Sequence, residues 1–126
     1  MTVESVILSE LGVIVTRVTG TPGFQEIRQH QRSLASDPEF DPEFHHLFDL
    51  SQVQDLRITT EEIRELASSG VFSPSSRRAV VAPRDAMFGL SRMYEGFSHL
   101  PEGAVRVFRN PEEAIRWLGM DEKSSG

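Results

Sequence analysis

Two adjacent histidines, His45 and His46, stand among Asp41, Glu43 and Asp49, and imidazole beside carboxylate is a donor set that suits zinc or iron. Their spacing works against it. Both open the run "HHLFDLSQV", whose unbroken apolar centre reads as a strand covered on both faces. Neighbouring strand residues point to opposite faces, so only one of the two can meet a given carboxylate. With no helical H-x-x-x-H, no metal site is assigned. Nucleophilic chemistry fares no better: the chain has no Cys, no G-x-S-x-G elbow, no G-x-G-x-x-G and no Walker loop. Ser51, the hydroxyl nearest the end of that strand, reads as a turn former. No catalytic residue and no cofactor are therefore expected.

Two other groupings are better candidates for recognition. Met87, Phe88, Leu90, Met93, Tyr94 and Phe97 recur at helical spacing, and at 100° per residue they span more than one narrow stripe. A helix covering a sheet with one flank would leave Met or aromatic surface for a partner, and Met adapts well to varied surfaces. Arg84 lies between a β-branched run and the start of that helix, the edge where open α/β sheets bind ligands. The candidate partner or ligand surface is thus Arg84, Met87, Phe88, Met93, Tyr94 and Phe97.

Composition narrows the class. At 126 residues, with 38% hydrophobic and 25% charged, the chain fits one globular domain with a real core. A net charge of -6 is the wrong sign for a protein that neutralises many phosphates, so nucleic acid is not an expected partner. Of 13 basic residues only Lys123 is a lysine, and the arginines suit bidentate contact with carboxylate or phosphate. No apolar run reaches the roughly 20 residues of a membrane span, and Met1–Glu10 does not resemble a signal peptide. The expected compartment is the cytoplasm.

The elements that must position these residues follow from periodicity. "VESVILSELGVIVTRVTG" reads as a hairpin turning at Ser9–Gly12. "TPGFQEIRQHQRSLAS" reads as a helix opened by Thr21 and Pro22, with Phe24, Ile27, Leu34 and Ala35 as its apolar stripe. The tandem "DPEFDPEF" is a loop, since Pro38 and Pro42 prevent regular structure. "TTEEIRELASSG" follows the "HHLFDLSQV" strand, with a capping box from Thr59 to Glu62 and Gly70 as its stop. "RRAVVAP" and "AVRVFR" are strands; Asp85 caps the Met/aromatic helix. Asn110, Pro111 and Glu113 start a last helix, with Ile115 and Leu118 buried, that Gly119 stops. The order β, β, α, β, α, β, α, β, α predicts a single α/β domain over residues 1–119, with a mainly parallel sheet of about five strands, an N-terminal antiparallel hairpin and about four helices. Residues 120–126 read as a flexible tail.

Three stretches, "FDLSQV", "SRRAVVAPRDAMFGLSRMYE" and "VRVFRNPEEAIRWLG", resemble the SpoIIAA-like family of STAS/SEC14-type domains, small stand-alone bacterial proteins. The resemblance implies a STAS-like fold and a regulatory or protein-interaction module without enzymatic activity. Anti-sigma factor antagonists among these relatives carry an Asp-Ser-Ser-Gly phosphoacceptor motif after the "DLS" strand. Here the corresponding helix start reads "RITT", which lacks it. Thr59 or Thr60 is the position left for a switch, since a helix N-terminus favours a phosphate; the capping box accounts for Thr59 without one. The SEC14-type relatives imply an alternative, a carrier or sensor of a lipid-like or aromatic, anionic or neutral small molecule. A second copy of the chain is a further candidate partner, through the edge strand or the Met/aromatic flank.

Overall fold

The computed structural model describes residues 2–68, 71–98 and 100–120. Strands form where β-branched residues cluster: β1 (Thr2–Leu8), β2 (Val13–Gly20), β3 (His45–Val53), β4 (Arg78–Val81) and β5 (Val105–Phe108). Between and after them run α1 (Phe24–Ala35), α2 (Thr60–Ser68), α3 (Asp85–Phe97) and α4 (Pro111–Leu118). The element order is the one the sequence predicts. One sheet takes the strands in the order β1-β2-β3-β4-β5; the first pair is antiparallel and the rest parallel.

This topology decides which face each helix covers. Every crossover steps one strand in the same direction, and a right-handed crossover repeated that way lays α1, α2 and α3 on a single face. The fourth helix, which follows the last strand, covers the opposite face. There Val13, Leu47, Ala79, Val81 and Phe108 pack with Ala114 and Leu118 of α4, all buried. On the three-helix face Val18, Leu50, Val53, Val80 and Ala82 cluster with Met87. Each Val, Leu, Met or Phe side chain among them contributes about 1.5–3 kcal/mol on full burial.

The caps explain where helices start and stop. Thr59 Oγ1 accepts from the Glu62 amide at 3.2 Å while Glu62 Oε1 accepts from the Thr59 amide at 2.9 Å, completing the predicted capping box. Asn110 Oδ1 accepts from the Glu112 amide at 2.7 Å, and Gly119 ends α4 in the left-handed region at φ 77°. Glu113 is exposed and makes no return bond to Asn110 among the described residues. Ile115 is only half-buried, whereas Leu118 is buried.

Two predicted starts move. The first helix begins at Phe24 with Gly23 as N-cap, not at Pro22. Pro22 is buried and its carbonyl accepts from the Arg57 amide at 3.2 Å, so the chain there is still extended beside residue 57. Ala35, expected in the buried stripe of α1, is exposed. Arg84, not Asp85, holds the N-cap of α3, and the Asp85 carboxylate pairs with Arg109 at 2.7 Å. The predicted stop at Gly70 lies outside the described residues.

Two local features bear on the site. Register between β2 and β3 runs from Arg17 opposite Asp49 to Thr19 opposite Gln52, so β3 carries one extra residue in a bulge. Asp49 Oδ1 accepts the Ser51 amide there at 2.9 Å. The tandem "DPEF" makes two like turns: Asp37 accepts from the Glu39 amide and Asp41 from the Glu43 amide, each at 2.9 Å.

Candidate functional site

The helices cover the inward face of β2, β3 and β4, so period-two alternation should place apolar residues at nearly every inward position. On the three-helix face it does not. Thr16, His46 and Arg78 point there and are buried, at 0%, 7% and 5% exposure. His46 and Arg78 are direct register partners on β3 and β4, which places them side by side.

These three residues line a cavity of about 90 Å³ between the sheet and helices α1, α2 and α3. A water needs roughly 10–15 Å³ on this measure, so the space suits several waters or one ring-sized molecule. Its other walls are mainly apolar, among them Ile27, Leu34, Phe48, Leu66, Val80 and Leu90.

A hydrogen-bonded chain crosses the floor. His30 Nε2 lies 2.5 Å from Ser5 Oγ, which lies 2.6 Å from Thr16 Oγ1, which lies 2.7 Å from His46 Nε2. Three bonds need three protons, and two hydroxyls supply two, so at least one imidazole must donate through Nε2. If His30 donates, His46 accepts at Nε2 and carries its proton on Nδ1. If His46 donates, Nδ1 is a bare lone pair. That Nδ1 is buried and has no hydrogen-bond partner.

Arg78 donates to the Tyr94 hydroxyl, and its guanidinium lies 4.6 Å from the centre of the Phe72 ring and 5.7 Å from that of Tyr94. The Phe72 ring also stacks on His46 at 4.9 Å. Neutral rings and a phenol relieve part of the cost of burying this cation but do not neutralise it. Among the described residues no carboxylate pairs with it, and Arg78 Nε is buried without a partner. Burial lowers the Arg78 pKa to about 10, which leaves it protonated at neutral pH. The His46 pKa lies well below the ordinary imidazole value, through burial first and the Arg78 charge second, so that ring is neutral. The cavity lining therefore carries one positive charge, Arg78, and two imidazoles, His30 and the neutral His46, in mainly apolar surroundings.

The residues singled out in the sequence fall differently. Tyr94 reaches the cavity. Met87 is buried at 4% exposure against the sheet and offers no surface. Phe88 lies under the Arg109 guanidinium, 4.2 Å from ring centre to Arg109 Cζ, and Phe97 lies 4.8 Å from Arg64 Cζ, so arginines cover both rings. Met93 is half-buried. Arg84 is exposed and stands outside the cavity lining, because its side chain leaves from the N-cap of α3, beyond the end of β4. Among the described residues Val6 is the large hydrophobic left mostly exposed, at 58%, and it lies on β1, away from α3. Thr59 and Thr60 are exposed, with Thr59 engaged in its cap.

His45 and His46 take opposite faces: His45 Nδ1 accepts the Arg77 amide at 2.8 Å while His46 turns inward. Among the described residues no three His, Asp or Glu side chains are placed to hold a metal ion. Sequence reasoning missed Thr16, Arg78 and the inward role of His46. The signal was parity: Arg78 stands two residues before Val80 and His46 two before Phe48, each a polar group at a core position of a covered strand.

No family model matches the sequence, and no curated protein sequence matches it. Solved structures do. An uncharacterized protein of the DUF3478 family from Shewanella loihica PV-4, described as having a SpoIIAA-like fold, is 16% identical with a TM-score of 0.61, over 93% of this chain and 92% of that one. The anti-sigma factor antagonist SpoIIAA in its unphosphorylated form is 13% identical with a TM-score of 0.52, over 94% of this chain and 98% of that one. At such identities the likeness is one of architecture. A five-stranded sheet with one antiparallel edge pair and four helices, alike over almost the full length of both chains, gives this protein a SpoIIAA-like fold.

Proposed function

We propose that the protein is a non-enzymatic regulatory module of SpoIIAA-like fold that senses or carries a small, largely apolar molecule bound between its sheet and helices α1 to α3. The observation that carries this reading is the 90 Å³ cavity with mainly apolar walls between the sheet and helices α1 to α3. Catalysis is disfavoured on geometry. The Ser5–His30 contact has the elements of a nucleophile and base, but no described carboxylate orients either imidazole of the chain. The rival reading, a protein-docking face on α3, loses support because its aromatic rings lie under arginines or within the fold.

Amide NMR titration with hexanol and with benzene tests the reading. Saturable shifts should centre on Leu66, Val80 and Leu90, and a folded Leu66→Trp variant, which fills the space, should lose them. Absence of saturable shifts with either probe in the unsubstituted protein would sink the proposal. Should Leu66→Trp fail to fold, Leu90→Phe serves the same purpose.

A further inference from the structure

A cavity that served only an apolar ligand would be better lined without Arg78. A buried guanidinium is costly unless an anion meets it, and stability alone is commonly served as well or better by an apolar side chain of similar size. The protein nevertheless places this cation beside His46, on adjacent strands, under one shared Phe72 ring. Each member of the pair retains one buried polar atom with no partner, Arg78 Nε and His46 Nδ1. Buried polar groups in folded proteins are almost always satisfied, and two adjacent exceptions in one cavity mark the place of an absent group.

Building on the ligand-binding reading above, we infer that the cavity takes a small apolar monocarboxylate, a short fatty acid or an aryl acid, with its carboxylate against Arg78 and His46 and its body among Leu66, Val80 and Leu90. The charge count selects this class. One guanidinium balances one negative charge, whereas a phosphate monoester carries about −1.5 to −2 and would leave the excess buried. The planar fork of Arg suits the two oxygens of a carboxylate. The second oxygen can also accept from His46 if its proton is on Nδ1.

That condition is what the hydroxyl chain supplies. With His30 donating to Ser5, Ser5 to Thr16 and Thr16 to His46 Nε2, the His46 proton sits on Nδ1. Reversing all three bonds moves it to Nε2. A bound carboxylate therefore fixes the direction of the chain as far as His30, which sits on α1. Ligand state is thereby written into the hydrogen bond joining α1 to β1.

Calorimetric titration of the full chain with hexanoate against hexanol, and benzoate against benzamide, tests the inference. Each acid should bind about tenfold or more tighter than its neutral partner. A folded Arg78→Met variant should erase that preference while still binding hexanol. In the unsubstituted protein, saturating hexanoate should bring the His46 ring nitrogens to the pattern of an Nδ1-protonated ring. Equal affinity for hexanoate and hexanol, or ring nitrogens left in the Nε2-protonated pattern, overturns the carboxylate assignment and leaves the apolar-ligand reading standing. Failure of all four compounds to bind at roughly millimolar concentration overturns both. If Arg78→Met does not fold, the acid-against-neutral comparison and the ring-nitrogen signals decide the matter alone.

Discussion

The two faces of the sheet are one residue apart along each strand and have opposite characters. Stepping from Leu47 to His46, or from Ala79 to Arg78, passes from a packed aliphatic layer under α4 to a polar pair in a cavity. The α4 face supplies the aliphatic packing that holds these strands in place while the other face keeps a cavity. The lesson is a division of labour. One surface of the sheet fixes the strands, and the same strands then present Thr16, His46 and Arg78 in fixed register for binding.

If that division is right, truncation should be costly where packing is complete and cheaper where space already exists. Leu118→Ala should lose about 3 kcal/mol or more in urea denaturation, and Leu66→Ala nearer 2 kcal/mol, because Leu66 borders empty volume and has fewer contacts to lose. Equal losses would break the comparison. Enlargement should show the reverse asymmetry and a smaller effect. Ala79→Leu, forced into the α4 layer, should cost about 1–3 kcal/mol, while Leu90→Phe, growing into the cavity, should change stability by less than about 1 kcal/mol.

A further difference is acid sensitivity arising on the cavity face. His46 and His30 both have pKa values lowered below the ordinary 6.5, mainly by burial. The unfolded chain, whose histidines titrate near that value, therefore binds protons that the folded chain refuses. Stability is full above about pH 6.5 and falls as pH drops below it, by at most about 1.4 kcal/mol per pH unit for each histidine. The charged and titratable groups acting on His46 are Arg78 and His30. His46→Phe should preserve the ring contact with Phe72 and flatten the slope; thermal melts between pH 7 and 5 measure it. An unchanged slope would show that the acid response does not arise from this face.

Much of the architecture was legible in the sequence because it depends on local pattern. "HHLFDLSQV" coincides with β3, and the Thr59–Glu62 box and Gly119 stop fall where expected, since strand runs and caps are written in a few consecutive residues. The displaced start of α1 was not, because Arg57, far along the chain, holds Pro22 extended. The cavity was hidden for the same reason on a larger scale. Ser5, Thr16, His30, His46, Arg78 and Tyr94 come from β1, β2, α1, β3, β4 and α3, and meet only once the sheet order is known. Helical spacing drew attention to Met87, Phe88 and Phe97, whereas the informative residues were polar ones at inward strand positions.

The bulge in β3 has a consequence for reading this protein against others. Leu50 and Val53 join the same buried cluster although they are three positions apart, because the extra residue resets the in-and-out alternation. Anyone who counts residues from Asp49 to the start of α2 against a chain without the bulge arrives one place out of phase. Superposed backbones, and not letter counts, therefore set which residues of another chain correspond to "RITT".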